Sequence, residues 1–365
     1  MHPPIPPRAV IELTPYQPGR SIEEIREITG LETIHKLASN ENPLGSSPLA
    51  LSYAAESLKN VSVYPRAGLR LRTTLAKKFN LSLGNLVVGA GSEGVLLTAM
   101  RAFLRPGDEV LTAEGTFIGF YVIASAMDLE LRTVSLREDY TYDLDAMLHA
   151  VTDKTRLIYI ANPNNPTGTA ISRTEWINFL ERLPDGILVI MDEAYFEYAR
   201  DQWDDYPDSL GQMHPQVLTL RTFSKVYGLA GMRIGYGIGC EEVISSLLKV
   251  KLPFEPSSVA EAAGVGALED ADFLNLSLKT NRRGMQRIRQ LLSELSIGMT
   301  ASVANFILIP FESPERATWF SDELLKRGII ARPMVPFRLP HAVRITIGNE
   351  EQMDALVEAV REILG

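Results

Sequence analysis

Lysine and arginine side chains occur together in the segment RTFSKVYGLAGMRIGYGI (221–238), between two apolar runs. The glycines of this segment let the chain double back, so that Lys225 and Arg233 return to one place. A second cation beside a lysine favours the neutral amine, which can attack a carbonyl carbon and form a Schiff base. A lysine in such a segment could also be a solvated surface charge.

Carboxylate, phenol and amide groups follow two other apolar runs. VIMDEAYFEY (189–198) places Asp192 at the end of one run and Tyr195 three residues later, although an aspartate there also suits the N-cap of a helix. IANPNNPTG (160–168) holds Asn165 on a proline-rich turn, which is rigid enough to present side-chain amides to a ligand oxygen. The same composition is also compatible with a turn that binds nothing.

A glycine turn follows a further apolar run, in the segment LVVGAGSEGVLL (86–97). It leads into an apolar helix, so that the free backbone amides around Ser92 and Glu93 would bind an anion such as a phosphate. The glycines also spell G-x-G-x-x-G with Glu114 close to the end of the next strand, which a dinucleotide site would show. A tight strand-to-helix turn is the third interpretation. The glycines concerned are Gly89, Gly91 and Gly94.

A parallel sheet is needed to bring these four segments together. Short apolar runs alternate with helix-length stretches from residue 86 onward, which predicts an α/β fold whose large domain has a mainly parallel seven-stranded sheet covered by helices. Ligands of such sheets bind beyond the carboxyl ends of the strands, where all four segments lie. The predicted strands are 86–88, 109–113, 130–136, 156–161, 187–192, 217–222 and 233–238.

The chain is expected to divide into three parts. Residues 1–45 would be an N-terminal arm that packs with the small domain or with a partner subunit, residues 46–252 the large cofactor-binding domain and residues 253–365 a smaller C-terminal α/β domain. A change of rhythm after residue 253 supports the last division. It consists of long helical stretches at about 258–296, strands at 303–309 and 343–347, and helices at 314–327 and 350–363.

Composition argues against several classes of function. The 365 residues include 45 acidic and 36 basic side chains, and the net charge of −9 disfavours binding to nucleic acid or to anionic membranes. The single cysteine allows no intrachain disulfide, the apolar runs are too short to span a bilayer, and the five scattered histidines indicate no metal site. We therefore expect a soluble, cytoplasmic protein.

The four segments together supply the groups that pyridoxal 5′-phosphate needs: a lysine, a buried carboxylate, donors to the ring hydroxyl and a phosphate seat. NPNNPTG, DEAYFEY and SKVYGLAGMRIGY resemble the fold-type-I pyridoxal-phosphate aminotransferases. Further segments make the chain similar to the histidinol-phosphate aminotransferases among them, over nearly its whole length. These are PYQPGRSIEE (15–24), KLASNENPLG (36–45), VYPRAGLRLR (63–72), GIIARPM (328–334) and LPHAVRITIG (339–348).

The resemblance implies transamination between L-histidinol phosphate and 2-oxoglutarate by a ping-pong route, in histidine biosynthesis. Lys225 would form the Schiff base and carry the proton, and Asp192 would pair with the pyridine nitrogen. Further cofactor contacts are implied for Ser92, Glu93, Phe117, Asn165, Tyr195, Thr222, Ser224 and Arg233, and for Tyr64 reaching in from the second subunit of a homodimer. Substrate contacts are implied for Tyr16, Asn40, Arg332 on the phosphate group and Arg344 on the carboxylate of glutamate.

Three residues depart from the family pattern and leave details of substrate preference open. Arg66 follows Tyr-Pro where an acidic residue or glycine is usual, Gly115 replaces a proline, and Arg338 stands where a glycine is common. An extra cation at Arg338 could favour a phosphate or a second carboxylate, or be solvated. An aromatic or other amino-acid aminotransferase, an NAD-dependent dehydrogenase built on the glycine triplet, and a cofactor-binding protein without turnover are the alternatives.

Overall fold

The computed structural model of the protein describes residues 3–13 and 21–365. Strands and helices alternate along most of this range. The strands are β1 (His35–Lys36), β2 (Leu86–Gly89), β3 (Glu109–Ala113), β4 (Glu130–Val134), β5 (Thr155–Ala161), β6 (Leu188–Asp192), β7 (Val217–Thr222), β8 (Gly235–Ile238), β9 (Phe306–Pro310), β10 (Ile329–Ile330), β11 (Arg332–Pro333) and β12 (Ala342–Thr346).

The α-helices of the described residues range from one turn to about seven turns. They are α1 (Arg8–Ile11), α2 (Ile22–Thr29), α3 (Pro48–Ser57), α4 (Leu69–Phe79), α5 (Gly91–Phe103), α6 (Ile118–Ala126), α7 (Leu144–Ala150), α8 (Arg173–Glu181), α9 (Phe196–Gln202), α10 (Glu241–Val250), α11 (Ser258–Glu269), α12 (Ala271–Glu294), α13 (Pro314–Lys326) and α14 (Glu350–Leu364). None of these helices has the length and the apolar character needed to cross a membrane.

A seven-stranded sheet with the order β2-β8-β7-β6-β5-β3-β4 forms the centre of the larger part of the chain. All seven predicted strands are present, with ends that differ by at most two residues, so the predicted α/β fold is confirmed. Only β8 runs antiparallel to its neighbours β2 and β7. The connection from β7 to β8 contains only a short 3-10 turn and no crossover helix, which suits an antiparallel pair.

The inner strands are continuously apolar because both faces of the sheet are covered. Along β5, Leu157 and Tyr159 belong to a core cluster with α5 and α6, whereas Ile158 and Ile160 belong to a cluster with α7 and α8. Successive side chains of a strand point to opposite faces, which explains the division. Each such side chain stabilises the fold by roughly 1.5 to 3 kcal/mol, and this rigid frame positions the strand ends.

The C-terminal part is built on the antiparallel sheet β11-β12-β9, which packs in one core cluster with α12, α13 and α14. The N-terminal segment joins it through β1, where His35 and Lys36 pair in parallel with β10. The long helical stretches predicted at 258–296 are α11 and α12, and the boundary between them lies at Asp270, whose carboxylate accepts the Phe273 amide and starts α12. Helix α11 follows residue 252 but packs on α3 and α4, which precede it. The division of the chain into domains at residue 252 therefore stays a prediction.

Candidate active site

The carboxyl ends of β5, β6 and β7 enclose a cavity of about 170 Å³ together with the N-terminus of α5. Parallel strands end at the same edge of a sheet, so their C-terminal residues necessarily meet there. The cavity is lined by most of the residues expected at the cofactor: Ser92, Glu93, Phe117, Asn165, Asp192, Tyr195, Thr222, Ser224, Lys225 and Arg233. The four segments of the sequence that carry candidate functional residues, 86–97, 160–168, 189–198 and 221–238, therefore meet at one site.

A second cavity of about 480 Å³ lies next to the first and shares part of its lining. The residues common to both cavities are Glu93, Phe117, Asn165, Tyr195, Lys225 and Arg233. Asn40, Arg332 and Arg344 line only the second cavity. Three of the side chains expected at the substrate thus line the second cavity, and Lys225 lines both cavities together with several of the residues expected at the cofactor.

Asp192 is the last residue of β6 and is buried. Its Oδ2 atom accepts a hydrogen bond of 2.8 Å from the Tyr159 hydroxyl, whereas its buried Oδ1 atom has no hydrogen-bond partner among the described residues. Burial raises the pKa of Asp192 to about 6 from an ordinary value of 3.8, while the Tyr159 hydrogen bond lowers it. A buried carboxylate oxygen without a donor costs free energy, so the site fits a ligand that brings an N–H group.

Lys225 lies in the turn after β7, and its Nζ atom donates to the Ser39 carbonyl at 3.4 Å. The same Nζ atom lies 5.5 Å from the centroid of the Tyr195 ring. The Tyr195 hydroxyl accepts a hydrogen bond of 2.9 Å from the Asn40 side-chain amide. The amine and the phenol are therefore held side by side at the junction of the two cavities.

The N-terminus of α5 and the guanidinium of Arg233 approach each other closely. A side chain at Gly91, where the backbone has a φ of 80°, would begin 2.9 Å from the Arg233 Nη2 atom, and one at Gly235 would overlap the Ser92 amide nitrogen. Only glycine leaves this space open. Backbone amides at a helix N-terminus and a neighbouring guanidinium both bind anions. The space between the N-terminus of α5 and Arg233, which we call the phosphate seat, therefore fits a phosphate group.

These observations together fit pyridoxal 5′-phosphate. The orphaned Asp192 oxygen suits its ring N–H group, and the seat at α5 suits its phosphate. The hydroxyl groups of Thr222 and Ser224, 3.0 Å apart, lie beside that seat in the cavity lining. The dinucleotide alternative fits less well, because β2 pairs only with the antiparallel β8 and not within a parallel βαβ unit.

Arg344 on β12 is 5% exposed and lies in the second cavity. Its guanidinium donates to the Asn165 side-chain oxygen and, at 2.8 Å, to the Ala38 carbonyl, and it lies over the Phe306 ring. Asn165, which the resemblance assigns to the ring hydroxyl, therefore also connects the cofactor side to the substrate side. Arg332 lies opposite Arg344 on the neighbouring strand β11.

Two expected site residues are not brought to the cavities by the described chain. Tyr64 is 75% exposed and stacks on Phe254, with 4.3 Å between the ring centroids. Tyr16 lies outside the described residues. Of the departures from the family pattern, Arg338 is exposed, lies over the Tyr121 ring at 4.7 Å and lines neither cavity, so of the two expected roles the structure favours a solvated cation over a ligand of an anion.

Sequence reasoning missed the hydroxyl of Tyr159, which contacts Asp192 from the adjacent strand. One signal was present: a tyrosine interrupts the otherwise aliphatic run of β5. Its face could be assigned only from the register, in which Ala161 pairs with Asp192. Because Tyr159 and Ala161 point to the same face, both side chains lie beside the carboxylate.

The chain was compared with protein-family models, curated proteins and solved structures. Residues 32–360 match the model of the family described as aminotransferase class I and II. Histidinol-phosphate aminotransferase from Geobacillus thermodenitrificans (strain NG80-2) is 41% identical over 355 residues, 96% of each chain. The enzyme of that name from Bacillus subtilis (strain 168) is 38% identical over 356 residues, 97% of this chain and 98% of the relative.

Solved structures show the same similarity. The crystal structure of histidinol-phosphate aminotransferase from Sinorhizobium meliloti in complex with pyridoxal 5′-phosphate superimposes with a TM-score of 0.87 at 28% identity, over 98% of this chain and 97% of that chain. Aspartate aminotransferase from Thermus thermophilus with maleate has a TM-score of 0.85 at 21% identity, over 99% of this chain and 100% of that chain. The second likeness concerns the fold alone.

Proposed function

Because this chain belongs to the class I and II aminotransferases, we propose that it transfers the amino group of L-histidinol phosphate to 2-oxoglutarate with the help of pyridoxal 5′-phosphate. The products are imidazole-acetol phosphate and glutamate, and the reaction is a step of histidine biosynthesis. The similarity to relatives of this activity extends over 96% of the chain. The observation in the site that carries the proposal is one cavity with an orphaned carboxylate oxygen, a lysine and a phosphate seat.

Bound pyridoxal 5′-phosphate supplies an electron sink that is conjugated with the substrate. Asp192 would accept the ring N–H group with its Oδ1 atom, and a pKa of about 6 leaves the carboxylate mostly ionised at neutral pH. The α5 amides, Ser224 and Arg233 would hold the phosphate group. Phe117, the N-cap residue of α6, lines both cavities and would contact the cofactor ring.

Lys225 moves the proton in both half-reactions. Its amine lies where the first cavity, which we call the cofactor cavity, joins the second cavity, which we call the substrate cavity. It can therefore accept the proton from the substrate Cα and later donate a proton on the same side of the substrate. Tyr195, fixed by Asn40, and Asn165 border the same junction and hold the ring hydroxyl. Because both substrates would occupy the same cavity beside Lys225, they bind in turn, which is a ping-pong route.

Arg332 and Arg344 bind the anionic groups of the two substrates. L-histidinol phosphate carries a phosphate group and no carboxylate, whereas glutamate carries two carboxylates. A guanidinium fork binds either group with two parallel hydrogen bonds. We assign Arg332 to the phosphate group of histidinol phosphate and Arg344 to the carboxylate of glutamate, since both line the substrate cavity.

The absorption spectrum of the purified protein tests this function. We expect a visible band from lysine-bound pyridoxal phosphate, and we expect it to disappear when L-histidinol phosphate is added without an acceptor. A band that histidinol phosphate leaves unchanged and phenylalanine removes would identify an aromatic aminotransferase instead. Lys225→Ala is the matched control, because it keeps the phosphate seat and the carboxylate but cannot form the covalent bond.

We also propose that the active form is a homodimer in which Tyr64 of one protomer completes the phosphate seat of the other. Tyr64 is exposed beside further exposed apolar side chains, which favours a protein contact in this region. These are Val61, Val63, Leu252 and Phe254. We place the enzyme in the cytoplasm, which its single cysteine supports.

Complementation between two defective variants tests the dimer. In a mixture of Lys225→Ala and Tyr64→Ala protomers, the heterodimer contains one site with an intact lysine and an intact tyrosine. We therefore expect mixing and refolding to restore tight cofactor binding to a fraction of the sites. An active protein with a monomeric mass in solution would overturn the dimer.

A further inference from the structure

The two oxygen atoms of the Asp192 carboxylate have different surroundings. Oδ2 accepts a hydrogen bond of 2.8 Å from the Tyr159 hydroxyl, and Oδ1 is buried without a partner among the described residues. Both Asp192 and Tyr159 line the cofactor cavity. The phenol therefore occupies one oxygen and leaves the other for a ligand.

Tyr159 is itself held rigidly. It is 0% exposed, and its ring stacks on the Phe120 ring of α6 with 4.5 Å between centroids and an interplanar angle of 11°. It lies on β5, whose register with β6 is continuous up to Asp192. A side chain fixed by both its strand and a stacked ring can hold the carboxylate in one orientation.

We propose that Tyr159 is a positioning residue that fixes Asp192 with Oδ1 toward the pyridine nitrogen of the cofactor and keeps the carboxylate ionised. The proposal rests on the proposed use of pyridoxal 5′-phosphate. It assigns a role to a residue that contacts the carboxylate and does not need to contact the reacting atoms.

The chemistry of the pair supports this role. Burial raises the pKa of Asp192, and the hydrogen bond from Tyr159 opposes that shift because it stabilises the charged form. Burial also raises the pKa of Tyr159 well above its ordinary value, so the phenol keeps its proton and remains a donor at every working pH. While Asp192 is ionised, the hydrogen bond therefore points from Tyr159 to Asp192.

Other titratable groups surround Asp192 and are common to every variant considered. Glu193 and Glu93 raise its pKa by charge repulsion. The groups facing it are Tyr142 before α7, Glu193 and Tyr195 after β6, Glu93 on α5, and Lys225 and Arg233 across the cavity. The Ala194 backbone amide also lowers the pKa of Asp192 and is common to all variants, so replacement of Tyr159 by phenylalanine removes one donor to the carboxylate without changing these charges.

The test is the affinity of the full-length cofactor-free protein for pyridoxal 5′-phosphate, measured by titration from about pH 5 to about pH 9. For Tyr159→Phe we expect a dissociation constant raised about 10-fold at neutral pH, because one hydrogen bond to a buried charge is lost. We also expect the acidic limb of the affinity profile to move up by about one pH unit relative to wild type.

Tyr198→Phe is the matched control, since Tyr198 is also a buried tyrosine but lines neither cavity. We expect its affinity profile to coincide with that of wild type, with both variants equally folded by circular dichroism. A Tyr159→Phe profile that coincides with wild type would overturn the role of Tyr159 alone. A wild-type protein that does not bind pyridoxal 5′-phosphate would overturn the proposed function itself.

Discussion

Arg332 and Arg344 are direct cross-strand partners on β11 and β12. Both guanidinium groups line the second cavity, where they present two positive charges to an anionic ligand. A guanidinium fork binds a phosphate or a carboxylate with two parallel hydrogen bonds, so the pair is suited to the anionic groups of both proposed substrates.

Replacement of each arginine should affect the two half-reactions differently. For Arg332→Gln we expect kcat/KM for L-histidinol phosphate to fall about 10- to 100-fold, because a charge-assisted contact to the phosphate is lost. For Arg344→Gln we expect the larger loss with 2-oxoglutarate. Single-turnover kinetics of each half-reaction, followed by the cofactor absorbance, separate the two effects.

Arg338→Gln is the control for these two variants. Arg338 contacts Tyr121 and lines neither cavity, so its removal should leave both half-reactions within about twofold of wild type. Equal losses with both substrates in Arg332→Gln and Arg344→Gln would contradict the assignment of separate anionic groups.

Asp192→Asn should stabilise the cofactor-free protein above pH 6. The folded-state pKa of Asp192 is about 6 and its ordinary value is 3.8. Between these two pH values the folded protein therefore holds a proton that the unfolded chain has released. The stability contributed by Asp192 is therefore complete below about pH 4 and falls by about 3 kcal/mol as the pH rises through 6. Asp192→Asn removes this dependence.

Urea unfolding of the cofactor-free variants at about pH 4.5 and about pH 7.5 measures the effect. Asp185→Asn, at an exposed aspartate before β6, is the control and should follow wild type at both values. We expect Asp192→Asn to bind pyridoxal 5′-phosphate poorly in spite of its higher stability. If the free energy of unfolding changed equally between the two pH values for Asp192→Asn and for wild type, the Asp192 carboxylate would not titrate in this range.

Replacement of Arg221 should destabilise the protein far more than replacement of a surface arginine. Arg221 is 2% exposed, donates to the Glu193 carboxylate at 2.8 Å and lies directly over the Phe196 ring. Arg221→Ala leaves the Glu193 charge buried without its partner, which costs about 3 to 5 kcal/mol. Chemical denaturation measures this loss.

Arg327→Ala provides the comparison for Arg221, since Arg327 pairs with Glu362 near the surface. Its cost should stay within about 1 kcal/mol. The double variant Arg221→Met, Glu193→Gln removes both charges of the buried pair and should recover part of the lost stability. A double variant no more stable than Arg221→Ala would mean that the loss is one of packing and not of charge.

The stability of the protein should depend on the backbone conformation of Asn40 as well as on its side chain. Its φ is 56°, and its amide group joins the Tyr195 hydroxyl to the Thr346 hydroxyl. We expect Asn40→Ala to lose about 1 kcal/mol more stability than Asn40→Gly, because both lose the hydrogen bonds but only alanine is strained at this φ. Equal unfolding midpoints for the two variants would contradict this account.

Much of the fold could be predicted from the order of apolar runs. The strands of the large sheet were found because a strand buried on both faces is apolar throughout, and that pattern is local. The antiparallel direction of β8 was not found, since direction depends on how the chain crosses the sheet. The boundary between the two helical stretches could not be located at Asp270, because α11 and α12 are both helical and only a cap separates them.

The sheet topology explains why the site residues could be predicted to lie together. It does not explain the individual contacts between them. Lys225, Asp192 and Asn165 meet because each follows a strand of one sheet, which their positions after apolar runs already indicated. The hydrogen bond between Tyr159 and Asp192 depends on register, and the stacking of Arg338 on Tyr121 depends on side-chain rotamers. Neither is encoded in residue spacing along the chain.

The hydrogen bond between Asn40 and Thr346 spans 306 positions of the sequence. A ribosome adds about 5 to 20 residues per second, so Arg344 is made about 6 to 24 s after Lys225, which lies 344 − 225 = 119 residues earlier. The strands that line the proposed cofactor site are therefore made before the strand that carries the proposed carboxylate ligand. We expect a nascent chain to complete the cavity proposed for the cofactor before the cavity proposed for the substrate.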